Sequence, residues 1–120
     1  MTTSVLIVDD DPGHLSMLET LIQGWGYSVD RAEDGSVAVL KIKERAFDLV
    51  LMDVRMAEMS GIEALREIIK IDPKAKVIMV SSLNQKDLVV KALSEGAKNY
   101  VLKPMSKEKT LSVVAEVLAK

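Results

Sequence analysis

A chain of 120 residues is the size of one domain built around one core. Its 16 basic and 18 acidic residues leave a net charge of -2, too near neutral to point to a nucleic-acid or membrane surface as a direct partner. Cysteine is absent, which excludes a disulfide framework and a thiolate metal site, and no apolar run approaches the ~20 residues that cross a bilayer.

The opening Met1-Thr2-Thr3-Ser4 has no basic flank and runs into an apolar stretch too short for a leader peptide, so a cytoplasmic location is expected. Ser4 to Val8 (SVLIV) reads as a buried strand ending at Asp9-Asp10-Asp11. A helix follows from Pro12 to about Gly24. Leu15, Leu18, Leu21 and Ile22 recur at helical spacing, Asp11 suits the N-cap, and Pro12 suits the first helical position. Trp25, between two glycines, is expected to lie over the core as a lid. Tyr27 to Arg31 is a second, weaker strand. Asp34-Gly35 opens a helix whose apolar stripe is read as Val37, Leu40 and Ile42. Asp48 to Asp53 (DLVLMD) is a third strand. A loop around Glu58-Met59-Ser60-Gly61 leads to a helix that ends near Lys70, before Asp72-Pro73. Lys76 to Ser81 is a fourth strand, Gln85 to Glu95 a helix stopped by Gly96, Asn99 to Lys103 a fifth strand, and Ser106 to about Ala119 a last helix.

Strands alternating with helices predict an α/β fold, a doubly wound parallel sheet with helices on both faces. In such sheets ligands bind beyond the carboxyl ends of the strands. The residues there are Asp9 and Asp10, Asp53, Ser81 and Lys103, each polar after an apolar run. Carboxylates gathered at one edge repel one another unless a cation offsets them. Lys103 is one candidate. The other is a hard divalent cation, and Mg2+ fits because it binds through a few carboxylates and keeps waters for a phosphate-bearing partner. A carboxylate beside Mg2+ can act as a nucleophile toward a phosphoryl group, with the lysine and a serine hydroxyl taking up charge on the transferred oxygens.

The order and spacing of LIVDD at 6–10, DLVLMD at 48–53, VIMVS at 77–81 and YVLKP at 100–104 resemble the receiver domains of two-component response regulators, over essentially the whole chain. The resemblance implies the flavodoxin-like strand order 2-1-3-4-5 and a single receiver domain spanning 1–120. It implies a phosphoryl group carried on Asp53, accepted from a sensor histidine kinase or phosphotransfer protein. Asp9, Asp10 and Asp53 would hold Mg2+, with the backbone carbonyl of Arg55 completing the site. Lys103 would contact the phosphoryl oxygens, Ser81 would be the hydroxyl switch, and Tyr100 the aromatic residue whose rotamer follows it. The surface over 85–119 would then act on a downstream target or an output domain, and dimerisation through it is common in the family. Arg55 and Leu83 match positions that tune phosphoryl lifetime. An apolar residue at 83 cannot position an attacking water, which implies slow self-dephosphorylation, and the resemblance implies a phosphoacceptor rather than an enzyme. The Lys103-Pro104 bond is usually cis in the family. Two departures stand out. Met56-Ala57-Glu58-Met59-Ser60-Gly61 lacks the proline usual in that loop, and Ser81 stands where threonine is commoner. DVRMAEMSG at 53–61 looks like receivers of enhancer-binding activators, and 77–103 looks more like single-domain receivers of the chemotaxis type.

Other readings are weighed against this one. Asp9-Asp10-Asp11 as a mere polar turn fits Asp11 alone, and Ser82 competes with Ser81 for the hydroxyl role. The lone histidine, His14, falls in the first helix near the site and is expected to be a surface residue rather than a ligand or phosphate carrier. Met52, Met56, Met59 and Met79 are expected mostly to fill the core or line the loop after Asp53. A phosphohydrolase resembling the haloacid dehalogenases would carry an aspartate two residues after the nucleophile, where this chain has Arg55. A nucleotide or flavin binder would place a glycine-rich loop after the first strand, where this chain has Asp-Asp-Asp-Pro. A receiver-like docking module that works without phosphorylation would not need the full acidic set.

Overall fold

The computed structural model describes residues 2–54, 60–82, 86–103 and 106–119. Among these, five strands alternate with five helices: β1 (Ser4–Val8), α1 (Pro12–Gln23), β2 (Ser28–Ala32), α2 (Gly35–Glu44), β3 (Leu49–Asp53), α3 (Gly61–Ile71), β4 (Val77–Ser81), α4 (Lys86–Ser94), β5 (Asn99–Leu102) and α5 (Lys107–Leu118). The strands form one sheet in the order β2-β1-β3-β4-β5, and every pair is parallel. The expected fold class and strand order are therefore present, and element ends differ from the sequence reading by a residue or so.

The pleat divides the sheet's apolar residues between two cores. Along β1, Val5 and Ile7 face α1 and α5, and meet Leu15, Leu18, Ile22, Val113, Val114 and Val117. Leu6 and Val8 face α2, α3 and α4, and meet Ala38, Ile62, Leu65, Ile68, Val89 and Ala92. A strand buried on both faces needs apolar residues at every position, which is why β1, β3 and β4 read as continuous runs. Trp25 packs at the rim of the first core, edge-on to Tyr27, in keeping with the expected lid.

The helix ends are set by local chemistry. Asp11, Asp34, Ser60 and Ser106 cap α1, α2, α3 and α5, each side chain accepting from backbone N–H groups of its first turn. Gly96, with φ of +120°, ends the α4 segment in a conformation other residues rarely adopt.

One packing expectation is corrected. The buried face of α2 is Gly35, Ala38 and Val39, with Val37 and Ile42 partly buried, and Leu40 is 56% exposed. The helix lies against α3 as well as the sheet, and the small Ala38 shares its core with Ile62, Leu65 and Ile68 of α3. Val37 and Ile42 of the expected stripe do pack against that core, and Leu40 does not.

Candidate phosphoryl site at the carboxyl edge of the sheet

Because all strands run the same way, their carboxyl ends share one edge. Register places the site residues there: Val8 lies opposite Met52, Asp53 opposite Val80, and Ser81 opposite Leu102. The chain continues the ladder just past each strand. Asp9 N–H donates to Ala32 O at 3.2 Å, Val54 N–H to Val80 O at 2.9 Å, and Lys103 N–H to Ser81 O at 2.6 Å. The backbone at or beside Asp9, Asp53, Ser81 and Lys103 is thus fixed by sheet hydrogen bonds.

Three carboxylates converge at this edge. One oxygen from each of Asp9, Asp10 and Asp53 lies within 4.8 Å of the others. Asp9 and Asp53 are buried, at 1% and 5% exposure, whereas Asp10 faces solvent. Buried carboxylates of like charge persist only with partners, and both buried ones have them. Lys103 Nζ donates to Asp53 Oδ2 at 2.8 Å. Asp9 Oδ1 accepts from the backbone N–H of Asp11 at 3.0 Å, and Asp9 Oδ2 meets the ring Nδ1 of His14.

The electrostatics follow from these contacts. Burial alone would raise the Asp9 pKa, but the His14 and Asp11 hydrogen bonds, with the charges of His14 and Lys103, outweigh it and hold the carboxyl below its usual value. Burial would lower the Lys103 pKa. The hydrogen bond and charge of Asp53, with the charges of Asp9 and Asp10, push it up instead, and the ammonium is held protonated. Beside them, Ser81 is fully buried and its Oγ has no hydrogen-bond partner among the described residues. An orphaned buried hydroxyl costs free energy, of order 1–3 kcal/mol, and such a group calls for an explanation.

The structure thus brings together Asp9, Asp10, Asp53 and Lys103, and ends the neighbouring strand on Ser81 rather than Ser82. Tyr100 is 39% exposed on β5 and lines an apolar groove of about 330 Å3 with Lys86, Val89, Val90, Leu93 and Leu102. Arg55, Leu83, Pro104 and the loop residues 56–59 lie outside the described residues. His14 corrects the sequence reading: it is not a plain surface residue, for its side chain is 15% exposed and turned onto Asp9. The signal for it was the strand-end Asp9 followed by an N-cap at Asp11, which puts His14 in the first helical turn, over the strand end.

Residues 5–115 match the family model of the response regulator receiver domain. The chain belongs to that family. It is 44% identical over 115 residues to the transcriptional regulatory protein ZraR of Klebsiella oxytoca, an alignment covering 96% of this chain and 26% of that protein. It is 42% identical over 118 residues to the chemotaxis protein CheY of Thermotoga maritima, covering 98% of each. The chain therefore spans about a quarter of the ZraR relatives it matches, and nearly all of CheY. Among solved structures, a putative response regulator from Chloroflexus aurantiacus superimposes with a TM-score of 0.95 at 25% identity, covering 100% of both chains. The receiver domain protein from Clostridium thermocellum gives 0.93 at 27% identity, covering 98% of this chain and 94% of that one. The two resemblances read in the sequence, to transcriptional regulators and to chemotaxis receivers, both have counterparts here. Receiver domains of two-component systems act as phosphoacceptors, generally not as enzymes, and use Mg2+ at their acidic pocket. Among the described residues, no helix is long and apolar enough to cross a membrane.

Proposed function

We propose that residues 1–120 form one receiver domain whose Asp53 accepts a phosphoryl group from the phosphohistidine of a sensor kinase or phosphotransfer protein. The observation that carries this reading is the pairing of buried Asp53 with Lys103 at 2.8 Å, inside a set of three converging carboxylates. The donor set fits Mg2+: three carboxylate oxygens close together, one residue of them open to solvent. Asp9, Asp10 and Asp53 would hold the ion, with the Arg55 carbonyl as a further ligand by family resemblance. When bound, it supplies positive charge to the transferred phosphoryl oxygens.

The remaining chemistry belongs to the chain. An Asp53 carboxylate oxygen forms a bond to phosphorus as the phosphorus–nitrogen bond of the donor histidine breaks, and the imidazole leaves. Sheet hydrogen bonds on either side of Asp53 hold it for that approach. Lys103 moves its charge from the Asp53 carboxylate to the new phosphoryl oxygens. Ser81 gains an acceptor, and this accounts for a buried hydroxyl kept without a partner among the described residues. Its movement frees space that Tyr100 fills by turning in from its exposed position. The groove between α4 and β5 is rebuilt as a result, and with it the 85–119 face that would meet a target, an output domain or a second copy.

Intact mass after treatment with acetyl phosphate and Mg2+ tests this reading, with Asp53→Asn in parallel. One phosphate adduct is expected on wild type alone, absent when Mg2+ is chelated. No adduct on either protein would favour a docking module that works without phosphorylation, and an adduct on both would mean another acceptor. Following the adduct in time also tests Leu83, because an apolar residue there should leave a phosphoryl lifetime well beyond seconds.

A further inference from the structure

We propose that His14 is a positioning residue for the cation pocket, clamping Asp9 from the first turn of α1. The inference rests on reading that pocket as a Mg2+ site. It comes from a closed local circuit. Asp9 ends the β1 ladder, and the segment after it folds back onto its carboxylate from both sides. The backbone N–H of Asp11 donates to Oδ1 at 3.0 Å. The ring Nδ1 of His14 meets Oδ2. An ionised carboxylate can only accept, so the imidazole carries the proton on Nδ1 and donates.

The helix start is fixed independently of that contact. Asp11 Oδ1 accepts from the N–H of Gly13 at 2.9 Å and of His14 at 3.4 Å, and Pro12 occupies the first helical position. His14 therefore stands at a defined height above the strand end, and its ring reaches back five residues along the chain. Asp10 lies between the two anchored aspartates, so the same circuit sets the path of the backbone that carries it.

Asp9 is 1% exposed and has little water to replace a lost donor. Without His14, the positive charge left acting on it is that of Lys103, which already serves Asp53. Oδ2 then loses the donor that fixes its orientation in the pocket. Partners that orient metal-binding groups change metal affinity by roughly 10–100-fold when removed. We take the low end, about tenfold, because Asp9 keeps the Asp11 N–H.

The test is calorimetric titration of Mg2+ into wild type, His14→Leu, His14→Asn and Asp10→Asn, with thermal unfolding in chelator as a check of folding. His14→Leu should bind about tenfold more weakly. Asparagine places an N–H close to the position of Nδ1 and should stay within about threefold of wild type. A residue that served only to hold α1 in place would leave the Mg2+ affinity of the folded protein unchanged. Wild-type affinity in His14→Leu, with binding lost in Asp10→Asn, would overturn the role of His14 and leave the site reading standing. Equal weakness in the leucine and asparagine variants would overturn the donor role. No Mg2+ binding by wild type would remove the site reading and this inference together. Should leucine prevent folding, His14→Ala supplies the same comparison.

Discussion

Gly61→Ala should destabilise this protein through a backbone clash. Gly61 is the first residue of α3, and its N–H donates to Val54 O at 2.9 Å, which brings the helix start onto the end of β3. A Cβ built there would sit 2.1 Å from the carbonyl oxygen of Asp53, 2.9 Å from Val54 Cα and 3.0 Å from Asp53 C. An ordinary carbon–oxygen contact is roughly 3.3 Å, so α3 and β3 must part by about 1 Å. The opposing atoms are backbone, and no rotamer change relieves the clash. Overpacking costs about 1–3 kcal/mol, occasionally more. Reduced freedom of the unfolded chain returns at least about 0.4 kcal/mol. We expect a net loss of about 2.5 kcal/mol, or a Tm lower by about 10 °C at roughly 4 °C per kcal/mol. Gly13→Ala is the control, since its Cβ would lie 3.4 Å from the nearest atom, Asp11 Oδ1. That variant should match or slightly exceed wild type. Differential scanning calorimetry on the three proteins decides the matter. Because the clash falls on Asp53 itself, the folded fraction of Gly61→Ala should also take up phosphate from acetyl phosphate more slowly. A Tm within about 2 °C of wild type would refute the packing argument.

Ser81→Ala should leave the unphosphorylated protein as stable as wild type or up to about 1 kcal/mol more so, because the deleted hydroxyl is buried without a partner among the described residues; a loss above about 1 kcal/mol in urea unfolding would show that the hydroxyl has one. Away from the site, Lys41 Nζ donates to Asp30 Oδ1 at 2.8 Å and to Arg31 O at 2.7 Å. Burial would raise the Asp30 pKa, but the Lys41 and Arg31 hydrogen bonds and the charges of Lys41 and Arg45 take it below the usual carboxylate value. A depressed carboxylate pKa contributes stability that is present above the unfolded value and is lost as pH falls through the folded one. The stability gap between wild type and Lys41→Met should therefore be constant above about pH 5 and narrow below it, and a gap that widened toward acid would sink the assignment.

The parts of the fold that were legible in the sequence are those that depend on one-dimensional pattern. Strands buried on both faces must be apolar throughout, so Val5–Val8, Leu49–Met52 and Val77–Val80 stand out against their surroundings. Helices that bury one stripe are also visible, but their phase is less so. In α2 the buried positions are Gly35, Ala38 and Val39, two of them small residues that an apolar ranking passes over. Gly61 was likewise read as loop, because nothing in the sequence says that a methyl there would strike Asp53.

The site divides along the same line. Once every strand is parallel, its last residues must share an edge, and Asp9, Asp53, Ser81 and Lys103 are brought together by topology before any side-chain detail is settled. The pairing of Lys103 with Asp53 across 50 positions follows from that edge. The contact of His14 with Asp9 does not. It depends on how tightly the chain turns between β1 and α1, which is set by the Asp11 cap and by Pro12, and a lone histidine in a helix is more often solvated. Sequence pattern therefore identifies the groups that topology gathers, whereas the groups that orient them are fixed by turn geometry. In this chain the residue of the second kind lies only five positions from the carboxylate it holds.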